Sequence, residues 1–286
     1  LAQFKGTESA LLFNTGYMAN VGILSALAAL GVVIFSDDLN HASIIDGCRL
    51  GHARTIVYRH GDAGDLAAKI KASFGVIVSD AVFSMDGDIA PLPDLMALGK
   101  KHGLLVMMDE AHATGVIGKT GRGIVEHFGL SEPPDILMGT MSKALASEGG
   151  FVCGRQLLID YLRNAARSFI FSTSLAPSVL AAAQAALTIL EEEPERVARL
   201  RGNTRLFCEA LEEAGVKAAS ASAIVPIVIG DEGRAMAVAE GIFLSAIRYP
   251  TVARGSARLR AALMATHTEG ELKEAAEKIA RAIREA

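Results

Sequence analysis

Apolar runs and helix-like stretches alternate along the first part of the chain. Short continuous apolar runs, typical of strands covered on both faces, predict strands at 31–35, 74–79, 104–108 and 135–139, with another strand at 55–58. The spacing between these runs predicts helices at 16–30, 42–50 and 92–102. This alternation predicts an α/β fold with a largely parallel sheet and helices on both of its faces.

The pattern changes near Pro177. An alanine-rich helix is predicted at 178–190 and another at 195–214, followed by a strand at 224–229, a further helix and strand, and a closing helix after Thr268. We therefore expect a large domain over residues 1–176 and a smaller C-terminal α/β domain over 177–286.

Composition narrows the range of partners. The 286 residues carry a formal net charge of −4, which gives no electrostatic reason to expect a nucleic-acid partner. The three cysteines lie far apart and show no metal-ligand spacing, so no metal site is expected and a reducing compartment, the cytoplasm, is favoured. No signal peptide and no apolar stretch long enough to span a membrane is recognised.

The segment 104–121 contains two strings that resemble nucleotide-motor motifs. Asp109-Glu-Ala-His112 spells a helicase-type DEAH box, and Gly118-Lys-Thr120 fits a relaxed phosphate-loop pattern. A phosphate loop joins a strand to a helix and has its acidic partner on a separate strand, whereas here the acids come directly before the loop. We therefore reject an ATPase and instead expect a ligand site at the carboxyl end of the 104–108 strand.

A lysine follows the next predicted strand. Lys143 lies among small and hydroxyl residues and is followed by Gly149-Gly150. Most lysines are ordinary solvated side chains, but nearly uncharged flanks favour a buried amine that can form a Schiff base. An acid at one strand end together with such a lysine is typical of enzymes that use pyridoxal 5′-phosphate (PLP).

Several motifs in a fixed order extend this pattern along the chain. They are Phe4-Lys-Gly-Thr-Glu8, Asn14-Thr-Gly-Tyr-Met-Ala-Asn20, Ser36-Asp-Asp-Leu-Asn-His-Ala-Ser43, Phe83-Ser-Met-Asp-Gly-Asp88, Asp109-Glu-Ala-His112, Gly139-Thr-Met-Ser-Lys143, Ser168-Phe-Ile-Phe-Ser-Thr173, Arg258-Leu-Arg260 and Ala265-Thr-His267. Together they resemble the α-oxoamine synthases, a family of PLP-dependent transferases of fold type I, over essentially the whole chain. The resemblance implies a homodimer with shared active sites.

The resemblance also implies a role for each matching residue. The catalytic residues would be Lys143, which holds the cofactor aldehyde, Asp109, which keeps the ring nitrogen protonated, and His112, which contacts the ring phenolic oxygen. The other implied cofactor contacts are Gly16 and Tyr17 at a helix start, His41 stacked on the ring, Ser84, Thr140, and Ser172 with Thr173 reaching the neighbouring subunit's cofactor. The implied substrate contacts are His41, Arg260 for the amino-acid carboxylate and Thr251 for the acyl group.

Alone, most of these residues have simpler interpretations. Asp109 could cap a helix or form a structural ion pair, His41 could cap the helix at 42–50, and Arg260 could be a surface residue of a strand. Gly16 and Tyr17 could form a plain turn, and His112 could be an ordinary loop residue. The functional interpretation therefore depends on the combination of motifs.

The implied reaction is a decarboxylative condensation of an amino acid with an acyl thioester. Three segments, at 247–252, 168–173 and 264–268, lean toward the branch that joins L-alanine to a pimeloyl thioester to make 8-amino-7-oxononanoate in biotin synthesis. The alternatives are serine palmitoyltransferase or glycine C-acetyltransferase activity, and a non-catalytic subunit of the same fold. The joint presence of Lys143, Asp109, His41 and His112 argues against the non-catalytic alternative.

Three departures from the family pattern are expected to matter. The family has a further N-terminal segment, and the chain starts at Leu1 without an initiator Met, so we expect an upstream segment. The connections at 70–74 and 238–242 look shorter than usual links between a helix and a strand. Either this chain is trimmed there or residues are missing.

Overall fold

A computed structural model describes residues 1–71, 74–242 and 244–286. Its contacts divide the described chain into two compact units. The first unit is Leu1–Phe83 with Ala90–Pro194, and the second is Ser84–Ile89 with Glu195–Ala286. The predicted boundary at Pro177 differs from this division, because the alanine-rich helix packs with the first unit and the short segment Ser84–Ile89 packs with the second.

The first unit is built on a seven-stranded sheet. Its strands are β1 (Ser9–Phe13), β2 (Val33–Asp37), β3 (Arg54–Tyr58), β4 (Gly75–Asp80), β5 (Leu105–Asp109), β6 (Ile136–Thr140) and β7 (Gly150–Gly154). They lie in the order β1-β7-β6-β5-β4-β2-β3. Strand β7 is antiparallel to both of its neighbours, and the register pairs the other neighbours in parallel. The predicted, largely parallel sheet is confirmed.

Helices cover this sheet. They are α1 (Ala2–Lys5), α2 (Gly16–Ala28), α3 (Ala42–Leu50), α4 (Ala63–Lys69), α5 (Leu92–His102), α6 (Ile124–His127), α7 (Gln156–Ala165), α8 (Arg167–Ile170) and α9 (Pro177–Glu192). The starts predicted for α2, α3 and α5 are confirmed. The central helix α2 is capped by Thr15, whose hydroxyl accepts from the Met18 backbone N–H.

The core of the first unit lies between α2 and the sheet. Ile23 and Leu24 of α2 are fully buried against apolar side chains of the central strands, such as Val78 and Met107. These strands are apolar on both faces because helices cover both sides. A rigid core of this kind fixes where each strand ends, and the strand ends carry the polar residues of interest.

The second unit contains a three-stranded antiparallel sheet with helices. Its elements are α10 (Glu195–Glu213), β8 (Ile224–Gly230), α11 (Glu232–Ile242), β9 (Ser245–Ile247), β10 (Ala257–Ala262) and α12 (Glu269–Glu285). The strand order is β8-β10-β9. Helix α12 begins with a complete capping box, in which the Thr268 hydroxyl and the Glu271 carboxylate each accept a backbone N–H.

The two connections that look short in the sequence have different outcomes. Residues 238–242 are not a connection, because α11 continues through them to Ile242. Within the connection at 70–74, residues 72 and 73 lie outside the described residues. Among the helices of the described residues, none combines the length and the hydropathy that spanning a bilayer requires.

Candidate active site

Aspartates end three neighbouring parallel strands of the first unit. Asp37, Asp80 and Asp109 are the last residues of β2, β4 and β5, and all three are buried. The register places Asp80 directly opposite Asp109. Parallel strands present their carboxyl ends at the same edge, where ligands bind in open α/β sheets. This edge is therefore the candidate site.

Asp109 is held by two donors. The Ala111 backbone N–H donates to Oδ1 at 2.9 Å, and Asn20 Nδ2 donates to Oδ2 at 2.7 Å. The side chain is buried, yet each carboxylate oxygen keeps lone-pair capacity for a further donor. A buried acid anchored in this way can hold a protonated ring nitrogen.

Asp80 is a second buried acid beside Asp109. Burial raises the pKa of its carboxyl well above the usual value, and the neighbouring charges of Asp109 and Asp37 act in the same direction. The hydrogen bond from the His41 backbone N–H and the charge of Lys143 oppose this rise in pKa. The proton is therefore held more tightly on Asp80 than on an ordinary aspartate.

Lys143 and His112 meet at the same edge. Lys143 Nζ lies 2.8 Å from His112 Nε2. His112 follows the end of β5 and Lys143 follows the end of β6, so adjacent strands bring them together. The predicted burial of Lys143 is wrong for this chain: the residue is exposed, because it lies in a segment of turns and bends after β6.

His41 caps α3 with its ring. Nδ1 accepts from the Ser43 backbone N–H at 3.3 Å and lies 2.7 Å from Ser43 Oγ. Its own backbone N–H donates to Asp80 Oδ2 at 3.1 Å. The simpler interpretation of His41 as a capping residue is thus confirmed, and the exposed ring is still able to contact a ligand.

Gly16 begins α2 in a tight space. A side-chain carbon at this position would lie 3.3 Å from both Met138 and Thr140, so the residue allows β6 to approach the helix start closely. Tyr17 is exposed, and its hydroxyl donates to Asp46 at 2.8 Å, a hydrogen bond that raises the pKa of the phenol. A helix N-terminus beside the strand ends is a favourable position for a phosphate group.

The remaining predicted residues of the first unit are Thr140, Ser172 and Thr173. Thr140 is buried and donates its hydroxyl to the Gly149 backbone oxygen at 2.8 Å. The Thr173 backbone oxygen accepts from Asn14 Nδ2 at 2.8 Å, which places the exposed Thr173 next to the end of β1. Ser172 is half-buried in the same segment.

The second unit holds the other predicted residues. Arg260 on β10 donates to the Ser84 backbone oxygen at 3.1 Å, so two of these residues are brought together. The neighbouring Arg258 is buried and forms an ion pair with Asp86, which fixes the Ser84–Ile89 segment against β10. Thr251 is exposed in the loop after β9, where its backbone N–H donates to the Arg248 backbone oxygen at 2.9 Å.

The nucleotide-like strings have structural explanations. Glu110 forms a buried ion pair with Lys5 and accepts the Ile124 backbone N–H at 2.7 Å. Thr120 donates its hydroxyl to Glu126 at 2.8 Å, and the helix that follows, α6, has only four residues. Glu110 therefore joins α1 to the loop that follows β5. This loop lacks the helix start that a phosphate loop requires.

Three residues of the site network have no role assigned from the sequence: Asn20 and Ser43, which stand within the matching motifs, and Asp80, which does not. A signal was present for two of them. Asn20 is a polar residue in the middle of the apolar run of α2, and Asp80 ends its strand in the same way that Asp109 does. No spacing in the sequence reveals Ser43, because its role depends on how α2 packs on α3.

Comparisons with known proteins identify the family of the chain. Residues 1–279 match the family model described as aminotransferase class I and II. A putative 8-amino-7-oxononanoate synthase of Desulfovibrio desulfuricans is 51% identical over 99% of this chain and 76% of its own length. The 8-amino-7-oxononanoate synthase of Lysinibacillus sphaericus is 48% identical over 95% of this chain and 72% of its own length.

Solved structures give the same result. A serine palmitoyltransferase of Sphingomonas wittichii superposes with a TM-score of 0.94 at 34% identity, over 99% of this chain and 74% of that chain. The 8-amino-7-oxononanoate synthase of Francisella tularensis superposes with a TM-score of 0.86 at 32% identity, over 99% of this chain and 85% of that chain. Another matching serine palmitoyltransferase structure contains PLP.

The fold is thus the PLP-dependent transferase fold of type I, as the sequence predicted. The chain belongs to the aminotransferase class I and II family, within the group that contains the 8-amino-7-oxononanoate synthases. It is accordingly an enzyme of the PLP-dependent acyltransferase type.

Proposed function

We propose that the enzyme condenses L-alanine with a pimeloyl thioester, carried by coenzyme A or a carrier protein. The products are 8-amino-7-oxononanoate, carbon dioxide and the free thiol, a step of biotin synthesis. The observation that carries this proposal is the contact between Lys143 and His112 beside the buried Asp109. The identity to named synthases, 44–51%, supports the choice of reaction.

The residues of the first unit fit PLP. Asp109 is buried with acceptor capacity left over, which suits a protonated ring nitrogen. His112 would contact the phenolic oxygen, and the exposed ring of His41 would stack on the cofactor. The start of α2 at Gly16 and Tyr17 would receive the phosphate together with Thr140, because free N–H groups and the helix dipole favour an anion there.

PLP, when bound, supplies an aldehyde that combines with amines and a ring that withdraws electrons from the bound carbon. Lys143 would hold the aldehyde in the resting enzyme and, once displaced by the substrate amine, accept the α-proton of the amino acid. His112, 2.8 Å from Nζ, would orient the amine during both steps.

The second unit would bind the amino-acid carboxylate. Arg260 uses one N–H group on the Ser84 backbone oxygen, and the guanidinium has further N–H groups for the bidentate contact that a carboxylate favours. Ser84, on the segment held by Arg258, would lie beside the cofactor. Thr251 would face the acyl chain.

A homodimer with shared sites is part of the proposal. Ser172 and Thr173 lie in an exposed segment that also carries Phe171, 73% exposed, and Ile170, 43% exposed. An apolar patch next to hydroxyl groups suits a subunit contact in which Thr173 reaches the neighbouring cofactor. We place the enzyme in the cytoplasm, a reducing compartment that suits its three free cysteines.

Serine palmitoyltransferase activity is the second candidate, because solved structures of that enzyme superpose with TM-scores of 0.93–0.94. Their identity is lower, 34–35%, than that of the named 8-amino-7-oxononanoate synthases of the sequence comparison. A methyl and a hydroxymethyl group differ by only about 1–3 kcal/mol in an apolar pocket. The choice of amino acid therefore requires an assay.

A competition assay decides the substrate. Alanine, serine and glycine are offered together with acetyl, pimeloyl and palmitoyl thioesters, and the products are separated by mass. We expect alanine with the pimeloyl thioester to give the highest kcat/KM. If serine with the palmitoyl thioester is preferred, the proposed reaction is wrong while the cofactor chemistry is unaffected.

A further inference from the structure

A buried amide lies beneath the candidate site. Asn20 is the polar residue on the buried side of α2, where its neighbours are apolar. Its Nδ2 donates to Asp109 Oδ2 at 2.7 Å and to Ser43 Oγ at 2.9 Å. Its Oδ1 is buried and, within the described chain, has no hydrogen-bond partner. The position thus uses the amide only for its two donors.

The orientation of this amide follows from its neighbours. Asp109 already accepts the Ala111 backbone N–H at Oδ1, so the carboxylate acts as an acceptor on both oxygens. A rotated amide would place Asn20 Oδ1 against a carboxylate oxygen with no proton between them. The amino group therefore faces Asp109, and the same group also faces Ser43.

The direction of the next hydrogen bond is then determined. Because Ser43 Oγ accepts from Asn20, its own proton is directed to the remaining neighbour, His41 Nδ1, at 2.7 Å. The Ser43 backbone N–H also points at Nδ1, at 3.3 Å. A ring nitrogen that accepts two donors carries no proton, so the proton of the neutral imidazole is on Nε2.

We propose that Asn20 and Ser43 are positioning residues that link the Asp109 carboxylate to the His41 ring and hold neutral His41 as its Nε2–H tautomer. One amide at the base of the site thereby orients two groups on different elements, β5 and α3. The purpose of this link rests on the proposed function, in which Asp109 pairs with the ring nitrogen and His41 stacks on the ring. The tautomer itself is a property of the chain alone.

Nitrogen-15 NMR of the holoenzyme labelled at histidine tests the tautomer. The chain has seven histidines, and the His41→Asn variant identifies the His41 signals by their loss. At pH 8, where an ordinary histidine is mostly neutral, we expect a protonated Nε2 and an unprotonated Nδ1. A protonated Nδ1 in the wild-type enzyme would overturn the proposal.

Two variants test the link. Asn20→Asp introduces a carboxylate that draws the Ser43 hydroxyl proton away from His41, and Ser43→Ala removes that hydroxyl. In both, His41 keeps only the long backbone hydrogen bond, so we expect the ratio of Nε2–H to Nδ1–H to fall at least about threefold. Ser36→Ala is the matched control, because Ser36 is also buried but bonds to Asp37 and Asn40 instead.

The outcomes are distinct. An unchanged tautomer ratio in the folded variants would refute the link, and if Asn20→Asp does not fold, Ser43→Ala decides alone. A wild-type chain that shows the predicted tautomer but does not bind PLP would contradict the proposed function and leave this inference standing.

Discussion

At the scale of single residues, two neighbouring carboxyl groups of the candidate site lie in different environments. Asp109 accepts hydrogen bonds from Asn20 and Ala111 and has acceptor capacity left over, whereas Asp80 accepts from the His41 backbone N–H and has a pKa raised above the usual value by burial. A buried acid with a raised pKa beside a second buried acid is typical of catalytic sites. The two residues therefore respond differently to the same substitution.

Asp109→Asn should lower the rate far more than the stability. A neutral amide cannot hold the ring nitrogen protonated, so the loss should be on the order of a thousandfold in kcat/KM, several kcal/mol of transition-state energy. Steady-state kinetics with alanine and a pimeloyl thioester measure it. Asp135→Asn, which alters a carboxylate that accepts the Val106 backbone N–H, serves as control. An unchanged rate would mean that another acid faces the ring.

Asp80→Asn should change the pH dependence of stability. The folded-state pKa of Asp80 is raised, so its contribution to stability is complete below the unfolded pKa, near 3.8, and is lost as the pH rises through the folded pKa. The amide keeps an acceptor for His41 but cannot ionise. From about pH 4 upward, the variant should therefore gain stability relative to the wild type, by at most about 1.4 kcal/mol per pH unit.

Urea unfolding of both proteins at several pH values between 4 and 8 provides the measurement. The Asp80→Asn variant and the wild type should differ by an amount that changes with pH in the stated direction. A constant difference across this range would show that Asp80 titrates normally in the folded protein.

At the scale of elements, helix α2 joins the core to the site. It carries Asn20 toward Asp109 and packs against α3 and α8. Its approach to its neighbours needs a glycine, because a side-chain carbon at Gly22 would lie 2.5 Å from Ser168 Oγ and 2.9 Å from the Phe13 ring. The position of the helix, and with it the site network, therefore depends on Gly22.

Gly22→Ala should destabilise the protein by about 1–3 kcal/mol, because the new methyl group overpacks the contact with α8 and β1. Gly202→Ala is the matched control: Gly202 lies in the interior of α10 with open space around it, so alanine should stabilise by about 0.5–1 kcal/mol. Thermal unfolding measures both. Equal effects of the two substitutions would contradict the packing described for α2.

The sequence predicted secondary structure well where a periodic apolar pattern extended over a long segment. The helices at 42–50 and 92–102 have the predicted bounds, since each runs without interruption and ends at a glycine. Strands β1 and β7 were missed. Strand β7 is five residues long and has a glycine at each end. In the sequence this pattern looks like a turn. The segment is a strand because it pairs with β1 on one side and with β6 on the other.

Only part of the candidate site could be predicted from the sequence, because the other part depends on how the elements pack. Residues at strand ends, such as Asp109 and Lys143, can be recognised from the run that precedes them. The link from Asn20 through Ser43 to His41 joins separate helices, and its hydrogen bonds exist only after α2 and α3 pack. The exposure of Lys143 was likewise not visible in its small, uncharged flanks.

At the scale of the whole molecule, the proposal requires two copies of the chain. Thr173 would complete the site of the other subunit, so a mixed dimer of Lys143→Ala and Thr173→Ala chains contains one site with both residues intact. Mixing the two inactive variants should restore up to about half of the activity per dimer that the wild type shows.

Size-exclusion chromatography of differently tagged chains confirms that mixed dimers form. A matched mixture of Lys143→Ala with Lys143→Ala,Thr173→Ala chains lacks any intact lysine and should stay inactive. Proven mixed dimers of the first kind with no recovered activity would contradict a shared site.

Lys143 is the residue proposed to bind the PLP aldehyde, and borohydride reduction of the enzyme tests this role. The enzyme with added PLP should show a visible absorption band that disappears on reduction, and peptide mass analysis should find the reduced cofactor attached to Lys143. Lys143→Ala should fold, lose turnover and show no covalent attachment, whereas Lys119→Ala, which alters an exposed lysine of the 111–123 loop, should behave as wild type. Attachment at another lysine, or none in the wild-type enzyme, would show that Lys143 does not hold the cofactor.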